Sequence, residues 1–353
     1  MNSNKRTLLV TGGCGFIGSH FVRLVLRERP DWRVINVDKL TYAGNLANLA
    51  DEEGIQEPER YSFARADIAD SKAMDALFAS ESVDMVINMA AETHVDRSLL
   101  DSAPFLRTNI EGARVLLEAA TRHGVIRFLQ VSTDEVYGSL EPTDAPFNES
   151  SPLQPNSPYA ASKAAADLMV RAYHCSYALP AIITRCGNNY GTYQFPEKFL
   201  PLFITNALND QPLPLYGDGQ NIRDWIHVED HVRGLLQVLE RGVPGETYNI
   251  SAGQEQTNNC MAEWVLKILN KPRSLIHHVK DRPGHDRRYA LDSAKIRSEL
   301  EWQPSMPLDQ GLRSTVVWYQ DHRGWWERIK AGEYQSYYQQ WYGERLAGSL
   351  QSE

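Results

Sequence analysis

Tyr159-Ala-Ala-Ser-Lys163 sets a phenol and an ammonium one helical turn apart, so both side chains share a face. A free tyrosine ionises near pH ~10 and is no base at neutrality. A fixed cation beside it favours the phenolate and brings that value down. The pair then becomes a base for an alcohol proton while hydride leaves the same carbon. A second constellation is Ser132-Thr133-Asp134-Glu135-Val136-Tyr137-Gly138, directly after an apolar run. Two adjacent carboxylates that are desolvated together repel one another, and at least one holds its proton longer than usual. That supplies an acid beside a base.

The third constellation is Thr11-Gly12-Gly13-Cys14-Gly15-Phe16-Ile17-Gly18. Gly12, Gly15 and Gly18 permit a tight turn, a close backbone approach to a pyrophosphate and close helix–strand packing. The free N–H groups and the positive end of the helix dipole then face the phosphates. Asp38 follows twenty residues after Gly18, where a carboxylate accepts from both ribose hydroxyls and repels a 2′-phosphate. NAD is therefore expected over NADP. Lys39 pulls the other way and is expected to be solvated.

These groups need rigid elements beneath them. Strands are expected at 7–11, 33–38, 84–90, 127–132 and 181–185, as near-continuous apolar runs of the kind buried on both sheet faces. Helices are expected at 19–29, 109–123 and 157–177, the second with Ile110, Ala113, Leu116, Leu117 and Ala120 at helical spacing. The alternation describes βαβ units and a Rossmann-like, doubly wound parallel sheet. The acid pair then follows the carboxyl end of a strand, where sheet ligands bind. Beyond residue 186 the pattern turns Pro- and Gly-rich. The expected division is a dinucleotide-binding domain at 1–186 and a smaller substrate lobe at 187–353, with segments returning to the large domain. The aromatic tail at 318–341 reads as a terminal helix packed on the body.

Composition narrows the class. The chain has 353 residues, 42% of them apolar and 23% charged, with 10 Phe, 16 Tyr and 8 Trp, which excludes intrinsic disorder. A net charge of −9 argues against nucleic acid or an anionic membrane as partner. Cys14, Cys175, Cys186 and Cys260 form no CxxC pair, so neither a disulfide framework nor a metal site is expected. His94 and Cys14 are read as structural. No secretory signal and no apolar run of the roughly 18 residues a membrane helix requires is evident. A cytoplasmic protein is expected.

Together these motifs resemble the extended short-chain dehydrogenase/reductase family over nearly the whole chain. Ala90-Ala91-Glu92-Thr93-His94-Val95-Asp96-Arg97-Ser98, Asn188-Asn189-Tyr190-Gly191, Arg223-Asp224-Trp225 and His285-Asp286-Arg287-Arg288-Tyr289 sharpen the likeness. With the Thr-Asp-Glu triplet, they are similar to its nucleotide-sugar 4,6-dehydratase branch. Gly187, Thr192 and Gln256 depart from that pattern, where Ser, Pro and Glu are expected.

The resemblance implies a lyase of deoxysugar biosynthesis that acts on dTDP-glucose with tightly held NAD. In it Tyr159, supported by Lys163, takes the 4-hydroxyl proton while Thr133 hydrogen-bonds that oxygen. Glu135 removes the C5 proton and Asp134 protonates the departing C6 hydroxyl. Cofactor contacts are implied at the glycine loop with Phe16 and Ile17, and at Asp38, Lys39, Leu40, Thr41, Asp67, Ile68, Ala90, Ala91, Thr93, Thr108, Tyr159, Lys163 and Asn189. Substrate contacts are implied at Thr93, Thr133, Asn188, Lys198, Tyr216, Arg223, Asn259, His285, Asp286, Arg287, Arg288 and Tyr289. A homodimer is implied through helices 109–123 and 157–177. Two alternatives stay open: a nucleotide-sugar 4-epimerase, which shares Tyr159 and Lys163 but has no use for Asp134 and Glu135, and a non-catalytic NAD-binding regulator.

Overall fold

A computed structural model describes residues 5–349. Its centre is an all-parallel sheet of β1 (Arg6–Thr11), β2 (Trp32–Asp38), β3 (Tyr61–Arg65), β4 (Met85–Asn88), β5 (Arg127–Thr133), β6 (Ala181–Cys186) and, much later in the chain, β10 (Thr247–Ile250). The strand order is β10-β6-β5-β4-β1-β2-β3. The winding direction reverses between β1 and β4, which opens a crevice at their carboxyl ends.

Both faces of this sheet are buried, and the pleat explains the apolar runs. Leu8 and Val10 point into one core cluster, where they meet α1 (Phe16–Glu28). Leu9 between them points into the other, built with α2 (Ser71–Glu81), α5 (Ala113–Arg122) and α6 (Pro158–Tyr177). Between α2 and α5 lie α3 (Val95–Leu100), α4 (Ala103–Phe105) and a π-helical stretch, Leu106–Gly112, that continues into α5.

Past β6 come the short β7 (Asn188–Tyr190), α7 (Phe199–Leu208), β8 (Leu213–Tyr216) and β9 (Ile222–His227). Then α8 (Val228–Arg241) returns to cover α1 and the first core face. β11 (Glu255–Thr257), α9 (Asn258–Leu269), β12 (Ile276–Val279) and α10 (Ala294–Leu300) follow, and α10 also lies on that face. α11 (Leu308–Asp321), α12 (Arg323–Lys330) and α13 (Glu333–Ser349) close the chain. Small sheets β11-β9-β7 and β12-β8 frame this second region. Its cores gather Tyr319, Trp326, Tyr334, Tyr337 and Trp341, so the aromatic tail packs on the body as expected.

The expected strands and helices are present with shifted ends. α1 begins at Phe16, three residues early, because the last glycine of the loop already lies inside the helix. The helix expected at 109–123 starts at Ala103 as one α-helical turn, passes through the π stretch and resumes as α-helix at Ala113. The run at 84–90 pairs only over Met85–Asn88, since Ala90 has turned into the crevice. β3 and α2 were not expected. β3 is an edge strand with no fully buried residue, so its apolar run is too weak to stand out. Among the described residues no helix is long and apolar enough to cross a membrane.

Candidate active site

The crevice holds a cavity of about 300 Å³. Its floor is the glycine loop. Gly12 adopts φ +71°, and a Cβ there would lie 2.7 Å from the Ala90 nitrogen. A Cβ on Gly18 would lie 2.1 Å from the Gly12 carbonyl oxygen. Only glycine lets this turn pass so close to β4 and α1. The N-terminus of α1 has no side-chain cap and no acid in its first turn, so its amides stay available to an anion.

Asp38 stands at the end of β2. One carboxylate oxygen accepts from the Cys14 amide at 3.0 Å and the other from the Leu40 amide at 2.8 Å. Each oxygen keeps lone-pair capacity for a ribose hydroxyl. Burial pushes this carboxyl up while the two amide bonds hold it down. Lys39 is exposed to solvent as expected, and it also shares the Asp67 carboxylate, at 2.8 Å, with Arg107 at 3.1 Å. The acceptor pair of the Asp38 carboxylate fits the ribose hydroxyls of NAD.

The chemistry sits opposite. β5 ends at Thr133, whose side chain caps a 3-10 turn, Asp134–Tyr137, by accepting from the Glu135 amide at 3.2 Å. The cap fixes both carboxylates at the cavity wall, since one turn carries them. The Thr133 hydroxyl donates to Asp134 Oδ1 at 3.0 Å, while Asp134 Oδ2 is buried with no partner among the described residues. Burial and then the Glu135 charge raise the Asp134 carboxyl to about 8. Glu135 is also raised by burial, but Arg282, Arg223 and Lys198 oppose the shift. Both carboxyls are raised by burial, and the three cations around Glu135 favour its ionised form, which makes Asp134 the candidate acid and Glu135 the candidate base.

A pH dependence follows. Below about pH 8 Asp134 carries the proton that a leaving hydroxyl needs, and above it the proton is lost. In the reaction that the resemblance implies, the elimination rate is expected to fall about tenfold per pH unit on the alkaline side, while oxidation at C4 does not follow that limb. Rates of the two steps measured between neutral and alkaline pH check this, and a flat elimination rate through pH 9 to 10 would contradict it.

Tyr159 and Lys163 project from α6, and both line the cavity. Lys163 Nζ donates to the Val131 carbonyl at 2.7 Å. Burial, then Glu135, push Tyr159 well above the usual phenol range, and the Thr133 hydrogen bond opposes the shift. Lys163 is itself lowered by burial and held up by Asp167. Within the protein, therefore, the phenol is kept protonated by a dry site.

The remaining site residues separate into two groups. Phe16, Ile17, Thr41, Ile68, Ala91, Thr93, Thr108, Asn188, Asn189 and Lys198 line the cavity. Leu40 lies just outside it, at a positive φ of 57°. Tyr216, Arg223, Asn259 and the 285–289 segment form a cluster beside the cavity. Arg223 stacks on Tyr289 at 4.2 Å and donates to the Asp286 carbonyl at 3.0 Å. Asp286 accepts from Tyr289 and Asn156. Asn259 donates to the Asp218 carbonyl, and Arg287 pairs with the Asp218 carboxylate. His285 binds Asp281 and packs edge-on against Tyr216. Arg288 is committed elsewhere: Glu255 and the Asp144 carbonyl take its guanidinium.

Arg282, Glu197 and Cys186 were not foreseen. Arg282 pairs with Asp96 at 2.9 Å, and its positive charge is the strongest one opposing the upward shift of Glu135. It lies three residues before the His285 segment, and that proximity was the one available signal. His94 is buried, faces the Glu197 carbonyl and packs on Tyr337, and Cys14 is a buried thiol raised to about 12. Neither lines the cavity. Among the described residues no three His, Cys, Asp or Glu side chains are grouped to hold a metal ion.

The family model described as GDP-mannose 4,6 dehydratase matches residues 9–315. A dTDP-glucose 4,6-dehydratase of Neisseria meningitidis serogroup B is 49% identical over 349 residues, covering 93% of this chain and 97% of that protein. A solved dTDP-glucose 4,6-dehydratase from Streptomyces venezuelae, with NAD bound, superposes with a TM-score of 0.88 at 50% identity, over 92% of this chain and 100% of that one. The UDP-glucose 4-epimerase of Thermotoga maritima is more distant, with a TM-score of 0.82 at 30% identity over 89% and 99% of the two chains.

Proposed function

The chain belongs to the GDP-mannose 4,6-dehydratase family of extended short-chain dehydrogenases/reductases, and from that membership we infer that it is an NAD-dependent hydro-lyase converting dTDP-glucose to dTDP-4-keto-6-deoxyglucose. The observation that carries this reading is one cavity wall bearing an acid, a base and a buried phenol, facing a glycine loop with Asp38. NAD, when bound, would supply a hydride acceptor and donor for the sugar. Gly12, Gly15, Gly18 and the α1 amides would hold its pyrophosphate and Asp38 its ribose.

Tyr159 takes the 4-hydroxyl proton, with the Thr133 hydroxyl bonded to that oxygen. The C4 ketone acidifies the C5–H bond, which Glu135 then breaks. Asp134 gives its proton to the C6 hydroxyl, which leaves as water, and the proton on Glu135 returns to C5. Lys198, Arg223 and Arg282 supply positive charge for a diphosphate that a chain of charge −9 would otherwise repel. An epimerase gives Asp134 and Glu135 no proton to move, and the epimerase relative is at 30% identity where the dehydratases stand near 50%.

Tritium at C4 of dTDP-glucose is expected to arrive on the C6 methyl group, with loss of one water in the product mass. Label that washes out or remains at C4 would refute the reading. Parallel incubations with UDP- and GDP-glucose test the nucleotide, and dTDP-glucose is expected to be the preferred substrate.

The protein is cytoplasmic and homodimeric in this reading, with the domains dividing near residue 186. Leu106 in the π stretch and Leu168 on α6 are 51% and 59% exposed, and Leu100 at the end of α3 is 48% exposed. A second copy covering these positions would remove that apolar surface from water. Light scattering is expected to give twice the 40.0 kDa chain mass. A monomer mass would contradict the dimer.

A further inference from the structure

Beneath the cavity, Arg185 reaches two elements at once. It lies on β6, paired in register with Ser132 of β5 on one side and Asn249 of β10 on the other. Its Nε donates to Asp167 Oδ2 at 2.9 Å, and its Nη1 donates to the Tyr137 hydroxyl at 2.8 Å. Asp167 is on α6, one turn beyond Lys163 and two beyond Tyr159. Tyr137 ends the 3-10 turn that begins with Asp134 and Glu135. The guanidinium therefore spans from the helix of the redox pair to the turn of the elimination pair.

All three bridge residues are buried: Asp167 is 1%, Tyr137 1% and Arg185 5% exposed. The direction of each bond is determined. Arginine only donates, so the Tyr137 oxygen accepts, and its single proton goes to Asn249 Oδ1 at 2.9 Å. Asn249 is anchored in turn by the Phe147 carbonyl at 3.1 Å, and the Tyr137 ring stacks on Phe147 at 5.0 Å. Burying such an ion pair is a poor source of stability, since desolvation offsets most of the attraction. What it does supply is a fixed distance between two groups on a rigid planar fork.

Resting on the dehydratase reading, we propose that Arg185 is a positioning residue that sets the redox pair Tyr159/Lys163 and the elimination pair Asp134/Glu135 at one working separation, through Asp167 on one arm and Tyr137 on the other. The same hexose must meet both pairs without leaving the site, so their separation has to match adjacent carbons. Misplacement of either pair by about 1 Å costs its own step up to about 100-fold.

The arms are separable, which provides the test. With full-length NAD-loaded enzyme and dTDP-glucose, nicotinamide reduction reports C4 oxidation, and solvent deuterium entering C5 reports elimination. Tyr137→Phe is expected to slow C5 exchange about tenfold, leave oxidation within about twofold, and so accumulate reduced cofactor. Asp167→Asn is expected to slow oxidation about tenfold with no accumulation, and Arg185→Lys to slow both, because a point charge cannot hold both arms. Should Asp167→Asn not fold, Tyr137→Phe decides alone, since it removes one oxygen and keeps the stacked ring. Equal slowing of both steps in Tyr137→Phe, or no slowing, overturns the bridge. Wild-type enzyme yielding no 4-keto-6-deoxy product would instead overturn the functional reading on which the bridge depends.

Discussion

Glu135→Gln should leave oxidation at C4 running and stop the reaction there, with elimination reduced by about 10²- to 10⁴-fold. The amide has the shape of the carboxylate and no basicity, so the 3-10 turn and its Thr133 cap are retained. The assignment rests on environment. Burial raises Glu135, but the positive charges of Arg282, Arg223 and Lys198 counter it, whereas Asp134 is raised by both burial and its neighbour. Since the hydride then has no C6 acceptor and can return only to C4, reduced nicotinamide should accumulate to the level set by that equilibrium in the presence of dTDP-glucose. Its absorbance is the measurement. Normal turnover without accumulation would remove Glu135 from the role of base.

Tyr159→Phe should have the opposite signature, with loss of C4 oxidation by a similar factor and no reduced cofactor at any time. Only one oxygen is removed, and the ring still packs on Phe105, so the fold should be retained. The protein's own groups keep this phenol protonated: burial and the Glu135 charge outweigh the Thr133 hydrogen bond. The positive charge of oxidised nicotinamide is the group available to bring the phenol down once bound. Single-turnover oxidation that proceeds unchanged in the variant would assign the proton acceptor elsewhere.

Several parts of the site were legible before any coordinates. The glycine loop, Asp38, the Tyr159/Lys163 pair and the Thr133-Asp134-Glu135 run are each contiguous or separated by one helical turn. Local backbone geometry alone brings such residues together. The apolar runs of β1, β2, β5 and β6 were equally legible, because a strand buried on both faces leaves a continuous signal. The exposed edge strand β3 left none. The π stretch was also hidden, since a single inserted residue per turn shifts the register without changing composition.

Contacts between distant segments were not legible. Exposed Lys39 shares the Asp67 carboxylate with Arg107, each from a different segment. The Lys163 ammonium donates to the Val131 carbonyl of β5.

The sequence by itself supplied the candidate acids, bases and phosphate-binding glycines, because they lie within short stretches whose geometry the backbone sets, while the reaction class came with the family resemblance. Tertiary structure alone decided which cations surround Glu135 and how deeply Asp134 is buried beside it. It also decided what Lys39 and Lys163 touch, and that Arg185 joins two catalytic units. Charges act through distance, and Arg282 reaches Asp96 across 186 positions of chain. Only the folded packing turns such a separation into a contact.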